Sequence, residues 1–346
     1  MKLLSFTKVP TSIVGPIHFH TMQGTTHQYS QLDISAPLAT YETTLFHSVG
    51  RGARVTRLAK TLTTTVISNK MTRSLLFEAA FSYQLIEVKR YIESHLDTFQ
   101  KDIVSKNSRY ATLVQADVKI VGNLLYVRFA FTTGDASGHN MTTFASDAIA
   151  DTILSQFSFL KYVSVSGNYC TDKKVSAVNG VLGRGKEVVA EIMIPRDLVQ
   201  DVLRTTPEAL VDLNIKKNLI GSIASGGLMS ANAHYANMLL AFYIATGQDG
   251  ANIVEGSQGI THVEVKGDDL YFSVTLPNII VGTVGHGKHA DDAVKHLEMM
   301  ECLGDHSAEK LAQIASALVL CGELSLMAAL TNPKELTQSH TRIERK

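Results

Sequence analysis

Between residues 75 and 166 the hydrophobic period changes three times, and few folds accommodate that order. Residues 75–104 carry charge on one side and few breakers, which predicts a helix. Two β-like runs follow at 111–120 and 124–132, joined by Val121-Gly122-Asn123. In the second run Leu125, Val127, Phe129 and Phe131 alternate with the opposite face, the pattern of a half-buried strand. From about residue 139 a helical stripe appears, formed by Met141, Phe144, Ala145, Ala148, Ile149, Thr152 and Ile153. A third β-like run covers 160–166. Helix, two strands, helix, strand is the order of a small α+β sandwich.

The flanking sequence has another grammar. Residues 1–40 scatter Thr, His, Gly and Pro among short apolar pieces, as strands and loops do, and 41–73 alternates Thr-rich and Gly-containing pieces. Thr206-Pro207-Glu208 reads as an N-cap, a proline at the first helical position and an acidic first turn. Residues 228–246 suggest a buried helix, and 260–281 suggest strands turning at Gly267-Asp268-Asp269. A strong apolar helix spans 308–330 and stops at Asn332-Pro333, leaving a polar, mobile tail. The expected fold is α+β. A large discontinuous α/β domain (1–74 and 165–330) surrounds an insert (75–164) and ends in a C-terminal flap (331–346).

Composition excludes several function classes. Apolar residues make up 45% of the 346, enough for a sizeable core. Lysine plus arginine equals aspartate plus glutamate at 32 each, so no net charge draws the chain to nucleic acid or an anionic membrane. Cys170, Cys302 and Cys321 are too few for a disulfide framework, and a reducing compartment follows. The run Met1-Lys2-Leu3-Leu4 ends at Ser5, Thr7 and Lys8 without the apolar core of a signal peptide. No uninterrupted apolar window reaches the roughly 18 residues of a membrane span. A cytoplasmic protein working in solution is expected.

Four segments are suited to chemistry. Gly134-Asp135-Ala136-Ser137-Gly138-His139-Asn140-Met141 lies between a strand and a helix, where backbone amides and the helix dipole favour a phosphate. A capped turn explains it equally well, and it is not the G-x-G-x-x-G fingerprint. Ser166-Gly167-Asn168-Tyr169-Cys170-Thr171-Asp172-Lys173-Lys174 sets two lysines behind an acid, either a solvated cluster or an oxyanion site. Asp249, in Gly247-Gln248-Asp249-Gly250, follows an apolar helix at the end where negative charge is disfavoured. Gly282-Thr283-Val284-Gly285-His286-Gly287-Lys288 is a second glycine-rich turn. His286, His289 and His296 match no zinc spacing, so no metal is expected.

Taken in order, these segments resemble the 3-hydroxy-3-methylglutaryl-CoA (HMG-CoA) reductase family along nearly the whole chain. Val9-Pro10, Gly15-Pro16 and Pro37-Leu38-Ala39-Thr40-Tyr41-Glu42 are similar to its entry segment. Arg51-Gly52, Met71-Thr72-Arg73 and the 134–141 motif follow, and the 166–174 run is the most specific match. Asn232-Ala233-His234, Gly247-Gln248-Asp249, Gly282–Gly285 and Gly322-Glu323-Leu324-Ser325 continue the series. The details look most like the class of eukaryotes and archaea. Ala136-Ser137-Gly138-His139 departs from that class, which usually has methionines there. Gly285-His286-Gly287-Lys288 replaces an all-glycine run, Gly50 stands where asparagine is common, and the stretch from Gly15-Pro16 to Glu42 is longer than usual.

The resemblance implies roles by position. Glu42, Lys173, Asp249 and His340 fall on the family's catalytic residues. Arg73, Ser166, Asp172 and Lys174 fall on the substrate carboxylate, and Asn237 on the reacting carbonyl. Ser48, Arg51, Lys217, His234 and Ser339 fall on CoA contacts. Ser108, Arg109, Tyr110, Asp135, Ala136, Ser137, Gly138, His139, Asn140, Gly285 and Gly287 fall on the dinucleotide, and the insert resembles a ferredoxin-like NAD(P)-binding domain. The implied reaction is two-step reduction of HMG-CoA to mevalonate and CoA in isoprenoid biosynthesis, in homodimers with shared active sites. Arg109 favours NADPH over NADH, because a 2′-phosphate needs a cationic partner. Two alternatives stay open: NAD-dependent mevalonate oxidation, and a non-catalytic acyl-CoA-binding homologue.

Overall fold

The computed structural model describes Ser5, residues 7–22 and residues 29–344. The short apolar run at residues 1–4 lies outside that description. Strands β1 (Thr11–Met22) and β2 (Tyr29–Ala39) pair antiparallel and turn Phe19, Ala36 and Leu38 inward. Helix α1 (Thr44–Ala59) follows, in a stretch whose glycines and threonines read as breaks. The physical reason is packing. A β-carbon on Gly52 would collide with the backbone of Cys321, so the glycine lets two helices cross closely.

The 16-residue strand β3 (Thr63–Glu78) serves two sheets. Its first half pairs with β1 and β7, and its second half with β5 and β6. This corrects the expected helix over 75–104. Leu75 and Phe77 point into a core from a strand that ends at Glu78, and helix α2 (Gln84–Ser94) begins later. An unbroken apolar run carries no period to separate the two states. Strands β4 (Thr112–Val121) and β5 (Leu124–Thr132), helix α3 (His139–Gln156) and strand β6 (Lys161–Ser164) follow in the expected order. On α3 the inward residues are Thr142, Ala145, Ser146, Ile149, Ala150 and Ile153, whereas Phe144, placed on the stripe above, is 72% exposed. Around Phe77, Leu85, Val88, Phe129 and Ile149 this half has a core of its own.

The rest of the chain builds on the first half of β3. Strand β7 (Gly185–Ile194) leads to helix α4 (Pro207–Leu213), where Thr206 Oγ1 accepts the Ala209 N–H at 3.2 Å as the sequence predicts. The short strand β8 (Ser230–Ala231) precedes helix α5 (Tyr235–Ala245), so the apolar run from 228 is helical only from Tyr235. Strands β9 (Gly259–Lys266) and β10 (Asp269–Ile279) form the expected hairpin, giving the order β2-β1-β3-β7-β10-β9-β8. Helix α6 (Asp291–Met299) is followed by α7 (Ser307–Thr331), which is long and apolar enough to cross a membrane. Here 83% of that apolar stretch is buried inside the protein, against Val188, Phe272 and Leu239 among others. The polar tail forms helix α8 (Glu335–Glu344), tied to α1 by Arg51 and Glu335 at 2.7 Å.

Candidate active site

Arg184 and Glu255 organise the site from beneath, and neither belongs to the expected set. Both side chains are fully buried. Arg184 Nη1 meets Glu255 Oε1 at 2.8 Å, and its Nη2 meets Asp172 Oδ1 at 3.0 Å. Glu255 Oε1 also accepts the backbone N–H of Lys173 at 3.1 Å and an N–H of Asn252 at 3.0 Å. This anchor holds Lys173 at φ 55°, a left-handed conformation that lysine adopts only when its surroundings impose it. Asn179 Nδ2 donates to the carbonyls of Thr171 at 2.9 Å and Lys174 at 3.4 Å, pinning the same turn. The available sequence signal is one charged residue amid small and apolar neighbours, at Gly183-Arg184-Gly185 and Val254-Glu255-Gly256.

So held, Lys173 Nζ reaches Asp249 Oδ2 at 2.7 Å. The hydrogen bond that Lys173 donates to Asp249 raises the lysine's pKa above its ordinary value, against some loss from burial. Burial pushes Asp249 up, but the Lys173 hydrogen bond, the Ala251 N–H and the lysine charge together bring it below its usual range. At neutral pH the pair is ammonium and carboxylate. The conflict between Asp249 and the helix end also resolves. Gly247 (φ 66°) closes α5, and Asp249 caps the next turn by accepting the Ala251 N–H at 3.0 Å.

A cavity of about 750 Å³ opens over this pair, lined by Arg73, Asp172, Lys173 and the segments 136–141, 247–249 and 284–288. Arg73 Nη1 lies 3.8 Å from Asp172 Oδ2, and His139 Nε2 lies 3.8 Å from Asp172 Oδ1. Burial, then the charge of Arg184, drives His139 down to about 4, so its ring is neutral at pH 7. Ala136, Ser137, Gly138, His139, Asn140, Gly285 and Gly287 all line the cavity. Asp135 does not. Its carboxylate caps α7, accepting the N–H of His306 at 3.0 Å and of Ala308 at 2.8 Å. Ser108, Arg109 and Tyr110 also stand off the lining. Ser108 Oγ accepts the Ala111 N–H at 3.1 Å, and the Arg109 guanidinium lies 5.8 Å from the Tyr110 ring centre. Ser166 is outside the lining too, and Lys174 Nζ donates to the Asp172 carbonyl at 2.9 Å.

A second cavity, about 400 Å³, holds another part of the expected set: Glu42, Ser48, Arg51, His234 and Asn237, with Ser325, Glu335 and Leu336. Asn237 Nδ2 donates to Glu42 Oε2 at 3.1 Å, and Arg51 Nε to Ser325 Oγ at 2.9 Å. The buried Glu323 fixes the entry to α5 by accepting the N–H of Ala233 at 2.6 Å and of His234 at 3.0 Å. Lys217 lies outside this lining, with its ammonium 3.5 Å from Asn218 Oδ1. Ser339 and His340 fall on α8, and their side chains lie outside the described part of the structure.

One chain therefore unites Lys173 with Asp249, and Glu42 with Asn237, but not the two pairs. Asn237 sits in the first turn of α5 and Asp249 lies beyond its last, with about 12 Å of helix between Asn237 and the helix end at Ala245. Glu42 is exposed, not buried beside a second carboxylate.

Residues 2–345 match the family model described as hydroxymethylglutaryl-coenzyme A reductase. The chain belongs to that family. It is 41% identical to the 3-hydroxy-3-methylglutaryl-coenzyme A reductase of Pyrococcus horikoshii, a match covering 99% of this chain and 83% of that one. The Methanocaldococcus jannaschii reductase is 40% identical, with 95% and 80% covered. In structure, the class II reductase of Streptococcus pneumoniae bound to NADPH aligns with a TM-score of 0.73 at 17% identity. That alignment covers 95% of this chain and 86% of that one, and it shows the shared α+β fold. Membership makes this reductase an oxidoreductase, and the segments 134–141, 166–174 and 247–249 lie within the matched span.

Proposed function

We propose that this chain reduces the thioester of HMG-CoA to mevalonate and free CoA, consuming two nicotinamide dinucleotides, with NADPH preferred to NADH. The Lys173–Asp249 contact at 2.7 Å, facing the cavity lined by 136–141, carries the reading. The cavity's features suit a dinucleotide: Gly138 at φ 89° opens the N-terminus of α3, and Gly285 and Gly287 let backbone approach closely. The reduced nicotinamide supplies hydride. Lys173 stabilises the negative charge that develops on the acyl oxygen, about 3 kcal/mol for one oriented charged donor. Asp249 orients that ammonium. His340 protonates the departing CoA thiolate. Glu42, held by Asn237, donates the proton that completes the alcohol. Arg73 and Asp172 sit where the substrate's carboxylate would be fixed. Arg109 supports NADPH, as does the cofactor named for the S. pneumoniae neighbour.

The separation of Glu42 from Lys173 favours a homodimer in which one copy's Glu42 cavity closes on its partner's Lys173–Asp249 pair. Leu240 and Ile244 support it: they are 38% and 44% exposed, one turn apart, on the helix between the two half-sites. The two separate cores support division into residues 1–74 with 165–330 and a ferredoxin-like unit at 75–164. Helix α8 then acts as a flap that opens for cofactor exchange, in a soluble cytoplasmic enzyme.

The test is loss of nicotinamide absorbance on adding HMG-CoA, with Lys173→Ala and Glu42→Gln chains assayed alone and after mixing through unfolding. Each variant alone should be nearly inactive. Random pairing leaves one intact site in half of the dimers, so the mixture should recover about a quarter of the parent activity. No turnover by the parent defeats the function, and no recovery on mixing defeats the shared site.

A further inference from the structure

Three lysine and arginine side chains line the Lys173 cavity, and two already face a carboxylate. Arg73 has Asp172 at 3.8 Å and Lys173 has Asp249 at 2.7 Å. Lys288 differs. It is 6% exposed, its ammonium donates to the Gly247 carbonyl at 2.8 Å, and among the described residues no carboxylate oxygen lies within ion-pair distance. Burial drives it down to about 8, partly offset by the more distant charge of Asp249. A buried ammonium opposite a neutral carbonyl is poorly compensated, and an arriving anion would complete it.

The loop bearing Lys288 is fixed on both flanks. On one side the Thr283 N–H donates to the Asp135 carbonyl at 2.8 Å, and Ala136 bridges to Val284. On the other, the Gln248 amide both accepts from and donates to the Gly282 backbone at 3.0 Å, and Gly247 and Gly287 touch with no room for a β-carbon. Lys288 is thereby held in the same cavity as the N-terminus of the 18-residue helix α3, an end that favours phosphate.

We propose that Lys288 is the ionic ligand of the cofactor's diphosphate, its ammonium exchanging the Gly247 carbonyl for a phosphate oxygen. This rests on the reading that the cavity takes a nicotinamide dinucleotide. The diphosphate is the phosphate nearest the nicotinamide, and Lys288 is tethered two residues from Asp249, close to the reacting centre. A 2′-phosphate lies farther out, on the adenosine ribose.

Calorimetric titration of the full chain with NADH, NADPH, ADP-ribose and 2′-AMP tests the assignment on Lys288→Met, Lys288→Gln and Lys288→Arg. Loss of the charge should weaken NADH, NADPH and ADP-ribose alike by about tenfold, the low end for a hydrogen bond to a charged group. The 2′-AMP affinity should stay unchanged, and Lys288→Arg should recover most of the loss. Lys288→Gln keeps a donor for Gly247 and should lose as much as Lys288→Met, which separates charge from loop support. Unmoved ADP-ribose binding, a loss confined to NADPH and 2′-AMP, or a fall in kcat with every Kd unchanged would each overturn the proposal. If the unaltered chain bound none of the dinucleotides, the cofactor reading itself would fail, a distinct result.

Discussion

Replacing Arg184 by methionine removes one buried cation and strands two carboxylates. Glu255 is fully buried and loses its 2.8 Å partner, keeping only the Lys173 and Asn252 N–H donors. Asp172, 21% exposed, loses a 3.0 Å contact and keeps Arg73 at 3.8 Å. Removing one member of a buried pair costs 3–5 kcal/mol, and the surviving donors set the expectation near the lower end, about 3 kcal/mol. That is a large share of the roughly 5–15 kcal/mol that keeps a domain folded, so the variant should fold but melt early. The loss should also depend on pH. Burial already raises the Glu255 pKa above its ordinary 4.5, with Arg184 opposing. A raised folded value means the native state binds the proton more tightly, so stability is present at low pH and lost as pH rises through the folded value. Without Arg184 that value climbs further. The deficit should be widest on the alkaline side, where the unpaired carboxyl must ionise, and narrow on acidification. Urea unfolding followed by circular dichroism measures it, and adding Glu255→Gln to the variant should restore much of the loss. A deficit below about 1 kcal/mol, or no recovery in the double variant, would refute a charge-paired Glu255.

Asp135→Ala should cost about 1 kcal/mol of stability by uncapping α7, with little change in dinucleotide affinity. A large loss of affinity at unchanged stability would return Asp135 to the cofactor. His139→Gln should flatten the acid limb of the stability profile. The His139 value is held at about 4 against an ordinary 6.5, so on acidification the unfolded chain takes up the proton first and stability is lost across that window. A variant whose urea midpoint falls just as steeply between those values would show that His139 is not held neutral.

Strand β5 and helix α3 were legible because each keeps its own period over many residues, and α7 because its apolar run is too long for a strand. The far end of β3 was not, because Leu75-Leu76-Phe77 is apolar on both faces of a strand shared by two sheets. Helix α1 hid behind Gly50 and Gly52, and only the crossing with Cys321 explains the second. In the site, Lys173 and Asp249 were visible as motifs and do meet. Glu42 was visible too, yet a linear sequence holds no measure of the helix that keeps it apart from them. Arg184 and Glu255 left only the faint mark of a charge among small and apolar neighbours: they touch the backbone and side chains of the motif residues, so their importance is a property of depth, not of spacing.

The buried Glu323 has a consequence for how a nascent chain is sorted. Residues 307–331 would pass for a membrane anchor by length and composition. Yet the donors to this carboxylate, at Ala233, His234 and Thr261, belong to other segments and are absent from an isolated helix. Moving an ionised group of this kind to mid-bilayer costs about 2.5–3.5 kcal/mol on insertion scales. This acid thus weighs against the lipid route for the helix, while the folded interior supplies the hydrogen bonds that lipid cannot.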